Sequence, residues 1–195
     1  MQIDRRRLLR HSLIAAALAP SELLLAPAAL AESAPRPADP AQWFWFPGHS
    51  FLMKSTTVDT NGVTGWVLCE AAARSGVPFH KHSREDESFF VVDGTFELSV
   101  GERTIRGGPG TYAFGPRDVP HRWTNIGETR GRILNVFTPA GFEQMFYELG
   151  LPIPASDAPP PQNPAPLIAR MNEVTAKYGN TRTGDFKFPP APHPH

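Results

Sequence analysis

The sequence predicts an all-β domain, a barrel or sandwich, followed by short C-terminal helices. Three observations carry that class. From about residue 50 to 138 the apolar residues fall in short β-like runs separated by glycine-containing turns. The repeats that mark propellers and solenoids are absent from the sequence. Beyond Thr138 the apolar spacing changes to that of a helix.

The chain opens on a cationic head, MQIDRRRLLR. An Ala/Leu-rich stretch follows over residues 13–31, broken by Pro20, Ser21, Glu22 and Pro27, and closes on Ala29-Leu30-Ala31. A basic head, an apolar stretch and a small-x-small site make an export signal, expected over residues 1–31. The interruptions argue against a permanent membrane span, which needs about 20 mostly apolar residues. Arg5-Arg6, followed by Arg7-Leu8-Leu9-Arg10, resembles the twin-arginine signal. That route carries folded proteins, which implies a periplasmic or secreted protein that acquires its cofactor before export.

The remaining 164 residues carry 15 basic and 17 acidic side chains. A net charge of −2 gives no field for nucleic acid or an acidic membrane surface. The length suits one domain. A single cysteine, Cys69, lies in an apolar run, so no intramolecular disulfide forms and a buried hydrophobe is expected.

Residues 32–49 read as a lead: a Pro/Ala-rich stretch, then the aromatic Trp43-Phe44-Trp45-Phe46, expected to pack on the rim of the domain or against a second copy in a homodimer. The barrel is expected over 50–138, with strands near 65–70, 88–92, 95–100, 103–106, 111–114, 121–124 and 132–138. Phe142, Met145, Phe146 and Leu149 then fall at helical spacing, which predicts a helix over 141–149. Residues 151–166 hold seven prolines and should be extended. A second helix is expected over 165–177, with Leu167, Ile168, Met171 and Val174 on one stripe and Gly179 as its stop. The rest of 139–195 reads as tail, with His193 and His195 solvated.

The chemistry concentrates in two blocks. In the first, His80 and His82 flank Lys81; on a strand, residues i and i+2 share a face, so the two imidazoles can share one ion. Three acids follow, Glu85, Asp86 and Glu87. Glu87 opens a strand and can point inward, whereas Glu85 and Asp86 lie in a charged turn and should be solvated. In the second block glycine and proline shape the approach from Gly110 through Pro116 to His121 and Asn125. Three imidazoles and one carboxylate suit a divalent first-row transition metal: iron, manganese, nickel, copper or cobalt, with zinc not excluded.

These blocks resemble the two motifs of the cupin superfamily. The first motif is H-x-H, three or four residues, glutamate, six residues, glycine; His80, His82, Glu87 and Gly94 fit it, and the distance to Gly94 selects Glu87 over Asp86. Gly110, Pro116, His121 and Asn125 fit the second. Two departures stand out. Gly76 lies closer to His80 than the motif's leading glycine, and Asp118 replaces an internal glycine, although aspartate tolerates the left-handed turn. The resemblance implies a jelly-roll β-barrel in which His80, His82, Glu87 and His121 hold a metal.

The stretches HSREDESFFVVDGTFEL and FTPAGFEQMFYELG further resemble single-domain cupins grouped with quercetin dioxygenases. That resemblance implies dioxygen and an aromatic or enol-type small molecule as substrates, with Glu87 as both ligand and general base. A non-redox metal-dependent isomerase or hydrolase and a non-catalytic small-molecule binder stay open. An apolar pocket is expected from Phe89 and Val91, which share the inward parity of Glu87, and Trp123, which shares that of His121; Trp66, Tyr112 and Phe114 are further candidates.

Overall fold

A computed structural model describes residues 35–183 apart from Pro40 and Pro161. The export signal and the tail histidines His193 and His195 lie outside the described residues. Among the described residues no helix is long and apolar enough to cross a membrane.

The fold is an all-β jelly roll of two antiparallel sheets. The strands are β1 (Trp43–Phe46), β2 (His49–Ser55), β3 (Gly65–Ala71), β4 (His80–His82), β5 (Asp86–Asp93), β6 (Phe96–Val100), β7 (Arg103–Gly107), β8 (Tyr112–Gly115), β9 (His121–Asn125), β10 (Gly131–Thr138), β11 (Leu151–Ile153) and β12 (Asn180–Arg182). One sheet runs β11-β1-β2-β3-β10-β5-β8 and the other β12-β4-β9-β6-β7. Neighbours that are distant in sequence, such as β3 and β10, make the crossovers of a jelly roll.

Strand parity sets the core. In β5, Glu87, Phe89 and Val91 face inward while Phe90 and Val92 face solvent. In β10, the same alternation buries Ile133, Asn135 and Phe137. Cys69 is fully buried in β3, and burial raises its thiol pKa well above the ordinary value, so it serves as a small hydrophobe.

The segment Trp43–Phe46 differs from its expected role on the rim. It is a strand paired on one side with β2 and on the other with β11, and Phe44 and Trp45 are buried. Trp43 and Phe46 at its two ends stay half-buried.

Helix α1 (Gln144–Leu149) buries Met145, Phe146 and Leu149, and Phe142 just ahead of it is buried as well. Helix α2 (Ala165–Lys177) buries Leu167, Met171 and Val174 but leaves Ile168 exposed; Gly179 follows at φ +77°, a turn geometry that favours glycine. The segment after α2, read from sequence as tail, instead returns as β12. It pairs with the histidine-bearing β4 through Asn180↔His82, Thr181↔Lys81 and Arg182↔His80. A three-residue polar strand carries no local signal; only its partner makes it a strand.

Candidate metal centre

His80 and His82 point inward from β4, and Lys81 between them faces outward. His121 opens β9 and pairs directly with His80 across the sheet. Glu87 reaches the same place from β5 in the opposite sheet. The four ligand atoms lie within 4.8 Å of one another, and all four residues are buried.

The glutamate is the hub. Its Oε2 lies 3.1 Å from His121 Nε2, 3.1 Å from His82 Nε2 and 3.6 Å from His80 Nε2. Burial disfavours a charge on Glu87, but the three imidazoles outweigh it and hold the carboxyl well below its usual range. Burial also disfavours a charge on His82; Glu85 and Glu87 overcome this and raise its pKa to about 9. At His80 burial prevails and lowers the pKa.

The outer ring nitrogens settle how the donors face. His80 Nδ1 lies 2.9 Å from the carbonyl of Pro78, and His121 Nδ1 lies 2.9 Å from that of Val119. A carbonyl only accepts, so each Nδ1 carries a proton, and each Nε2 is turned toward the centre. His82 Nδ1 faces a carboxylate instead, Glu85 Oε2 at 3.6 Å. Neither ring nitrogen of His82 has a hydrogen-bond partner, although the ring is fully buried. The three Nε2 atoms gather around one Glu87 carboxylate oxygen, a set of three nitrogens and one oxygen that fits a divalent transition metal.

Glu85 is the main departure from expectation. The charged turn predicts it in solvent with Asp86, yet it is buried against His82. The run SREDE hides this, because nothing in a charged turn distinguishes the acid that faces a histidine. Asp86 stays partly exposed and is taken by Arg117, which donates to it through its backbone N–H (2.8 Å) and its guanidinium (3.0 Å). That pair ties the start of β5 to the turn preceding His121. In this turn Asp118 adopts φ +62°, the left-handed geometry expected where the motif has glycine, and its N–H donates to the carbonyl of His82 at 2.7 Å. Gly115 packs so tightly on His121 that a Cβ there would sit 2.9 Å from the ring.

The cluster borders a cavity of about 80 Å³, the space open to the centre of a water-sized sphere. At that measure several waters would fit. Phe51, Trp123, Phe137, Phe142 and Phe146 are among the residues that line it, and His80 and Glu87 reach it from the metal cluster. Of the six residues expected in the pocket, only Trp123 lines it. Phe89 and Val91 do point inward but are packed into the core, Phe89 with its ring centre 5.5 Å from that of His121. Trp66, Tyr112 and Phe114 lie on the outer face of the sheet: Val67, Ala113 and Gly115 take the inward positions, so their neighbours must face solvent. Residue type suggested a pocket, but parity decided against it. The lining residues missed in the sequence come from several elements, among them His49 of β2, Asn135 of β10, Phe142 ahead of α1, Met171 of α2 and Asn180 of β12.

Residues 67–137 match the family model described as Cupin domain. Over those residues the chain is similar to cupin domains. No curated protein matches the chain. Among solved structures, the chain is similar to KdgF from Halomonas sp., with 21% identity over 52% of this chain and 89% of that one and a TM-score of 0.47. It is also similar to an RmlC-like cupin from Shewanella frigidimarina (21% identity, 56% and 87% covered, TM-score 0.43). A third likeness is to a sugar phosphate isomerase of the cupin superfamily from Silicibacter pomeroyi (23% identity, 47% and 59% covered, TM-score 0.41).

Proposed function

We propose that this cupin is a metal-dependent dioxygenase acting on an aromatic or enol-type small molecule, in the manner of the quercetin dioxygenases its sequence resembles. One observation carries the reading: the three-histidine, one-glutamate cluster borders a cavity that five phenylalanines and Trp123 help to line. His80, His82, His121 and Glu87 would hold one divalent ion, iron, manganese, nickel, copper or cobalt, with zinc also accommodated by the donor set. Bound there, the ion would favour the deprotonated form of an enol and, if redox-active, open a route for electrons to dioxygen. Glu87 lines the cavity and would accept the enol proton. Phe137, Phe142 and Trp123 would hold the substrate ring and exclude water.

Elemental analysis of protein purified without added metal, together with oxygen uptake on adding quercetin, tests this. The expected result is about one redox-active metal per chain and oxygen consumption that Glu87→Ala abolishes. Zinc alone with no oxygen uptake overturns the dioxygenase and leaves a non-redox isomerase, a hydrolase or a small-molecule binder. We further propose export by the twin-arginine route, supported by Arg5-Arg6 and the stretch that follows. Replacing both arginines by lysine should retain the protein in the cytoplasm on fractionation.

A further inference from the structure

We propose that His49 and Asn135 form a pair of hydrogen-bond acceptors that selects ligands carrying hydroxyl donors in the aromatic cavity. The inference shares the cavity of the proposed function but does not depend on the metal. Both residues line the cavity and both are almost completely buried, at 4% and 3% exposure. Neither belongs to the metal cluster.

Each carries one polar atom without a partner. His49 Nε2 lies 3.1 Å from the carbonyl of Gly76, which can only accept. The proton is therefore on Nε2, and Nδ1 is left as a lone-pair acceptor with nothing to bind. Burial keeps the ring neutral, pushing its pKa from 6.5 down to about 4 against the pull of the Gly76 carbonyl. Asn135 repeats the pattern. Its Nδ2 donates to the carbonyl of Val67 at 3.3 Å, which fixes the amide orientation and leaves Oδ1 as an unpartnered acceptor.

A native fold rarely tolerates a buried acceptor without a donor, and here the two residues that carry one each line the same cavity. Outside the metal cluster, the other polar walls are Thr175 on α2 and Asn180 and Arg182 on β12. Thr175 Oγ1 is already committed to the carbonyl of Met171 at 2.6 Å. Two neutral acceptors have no proton to give a carboxylate. They complement a neutral O–H, and the surrounding rings complement a flat apolar body. The ligand class is thus a phenol or enol that keeps at least one hydroxyl away from the metal.

Calorimetric titration of the full-length protein with resorcinol and with 1,3-dimethoxybenzene tests the pair. The two probes share a ring, but only the first has donors, and neither holds two adjacent oxygens for a metal. Resorcinol should bind at least about tenfold tighter, since the ether leaves buried acceptors unpaired. The preference should survive removal of metal by a chelator. It should fall to about unity in Asn135→Leu and in His49→Phe, each verified as folded by circular dichroism, and persist in His49→Gln, which keeps an acceptor. Equal binding of the two probes, no binding of either at millimolar concentration, or an unchanged preference in both apolar variants overturns the proposal. Oxygen uptake with quercetin separates the two readings. Uptake without a donor preference sinks the acceptor pair alone, and a donor preference without uptake sinks the dioxygenase alone.

Discussion

Three acids stand in a row at positions 85–87, and their fates differ by what each faces. Glu87 joins the three imidazoles, Asp86 pairs with Arg117 near the surface, and Glu85 is buried behind His82. A carboxylate on the outer nitrogen of a metal-binding histidine orients the ring and raises its basicity, an effect typically worth about 10- to 100-fold in metal affinity. Competition against a chelator should therefore show Glu85→Ala weakening metal binding by about that factor. Glu87→Ala and His121→Ala, which remove ligands, should weaken it further, and Asp86→Ala should change it little. Wild-type affinity in Glu85→Ala would mean that His82 is oriented by packing alone. His49 gives a second prediction. Its folded pKa is about 4 and its ordinary value 6.5. Between those values the unfolded chain binds a proton that the folded one refuses. Stability is thus fully present above pH 6.5 and falls as pH drops toward 4, by on the order of 3 kcal/mol. Urea midpoints measured from pH 7 to 4.5 should fall more steeply for the wild type than for His49→Phe. Parallel profiles would show that His49 takes up its proton without leaving the fold.

At the scale of elements, α1 is placed by a residue that sequence gives no reason to notice. Glu143 precedes the helix, is fully buried, and accepts the backbone N–H of Thr57 and of Gly141, each at 2.7 Å. Bonds to a charged acceptor are stronger than neutral ones, and their loss leaves two amides unpaired. Glu143→Ala should cost roughly 3 kcal/mol and lower Tm by about 10 °C, with partial recovery in Glu143→Gln. A thermal melt within a few degrees of wild type would show that α1 is held by its apolar face alone. The same contrast explains what the sequence made legible. Strand alternation and the H-x-H spacing are local, so the core strands, the inward histidines and both helices could be read from residue order. Glu85, Glu143 and β12 could not, because each owes its state to a partner far along the chain or across a turn. Trp66, Tyr112 and Phe114 misled for the opposite reason. Their residue type suggests burial, but their place in the alternation puts them outside.

At the scale of the whole molecule, the C-terminal segment closes the barrel end that carries the metal cluster. The strand β4 pairs with β9 only at His80↔His121, whereas β12 pairs with all three of its residues. Without β12, the strand holding two of the four ligands becomes an edge. Met171, Thr175, Asn180 and Arg182 also line the cavity. Burying Leu167, Met171 and Val174 contributes about 1.5–3 kcal/mol each, together comparable to the roughly 5–15 kcal/mol that separates a folded domain from its unfolded chain. A chain stopped after Asn163 should therefore melt far lower, or fail to fold, and any folded fraction should bind metal more weakly. A chain stopped after Thr183 keeps β12 while losing His193 and His195, and should match the wild type in both respects. Thr181→Pro, which removes the N–H that faces Lys81 in the ladder while leaving α2 in place, should lie between them. Thermal melts and chelator competition on the three proteins decide the matter. If the chain ending at Asn163 keeps wild-type Tm and affinity, β4 holds its histidines without help from β12. If the chain ending at Thr183 loses metal, the tail histidines belong to the site after all.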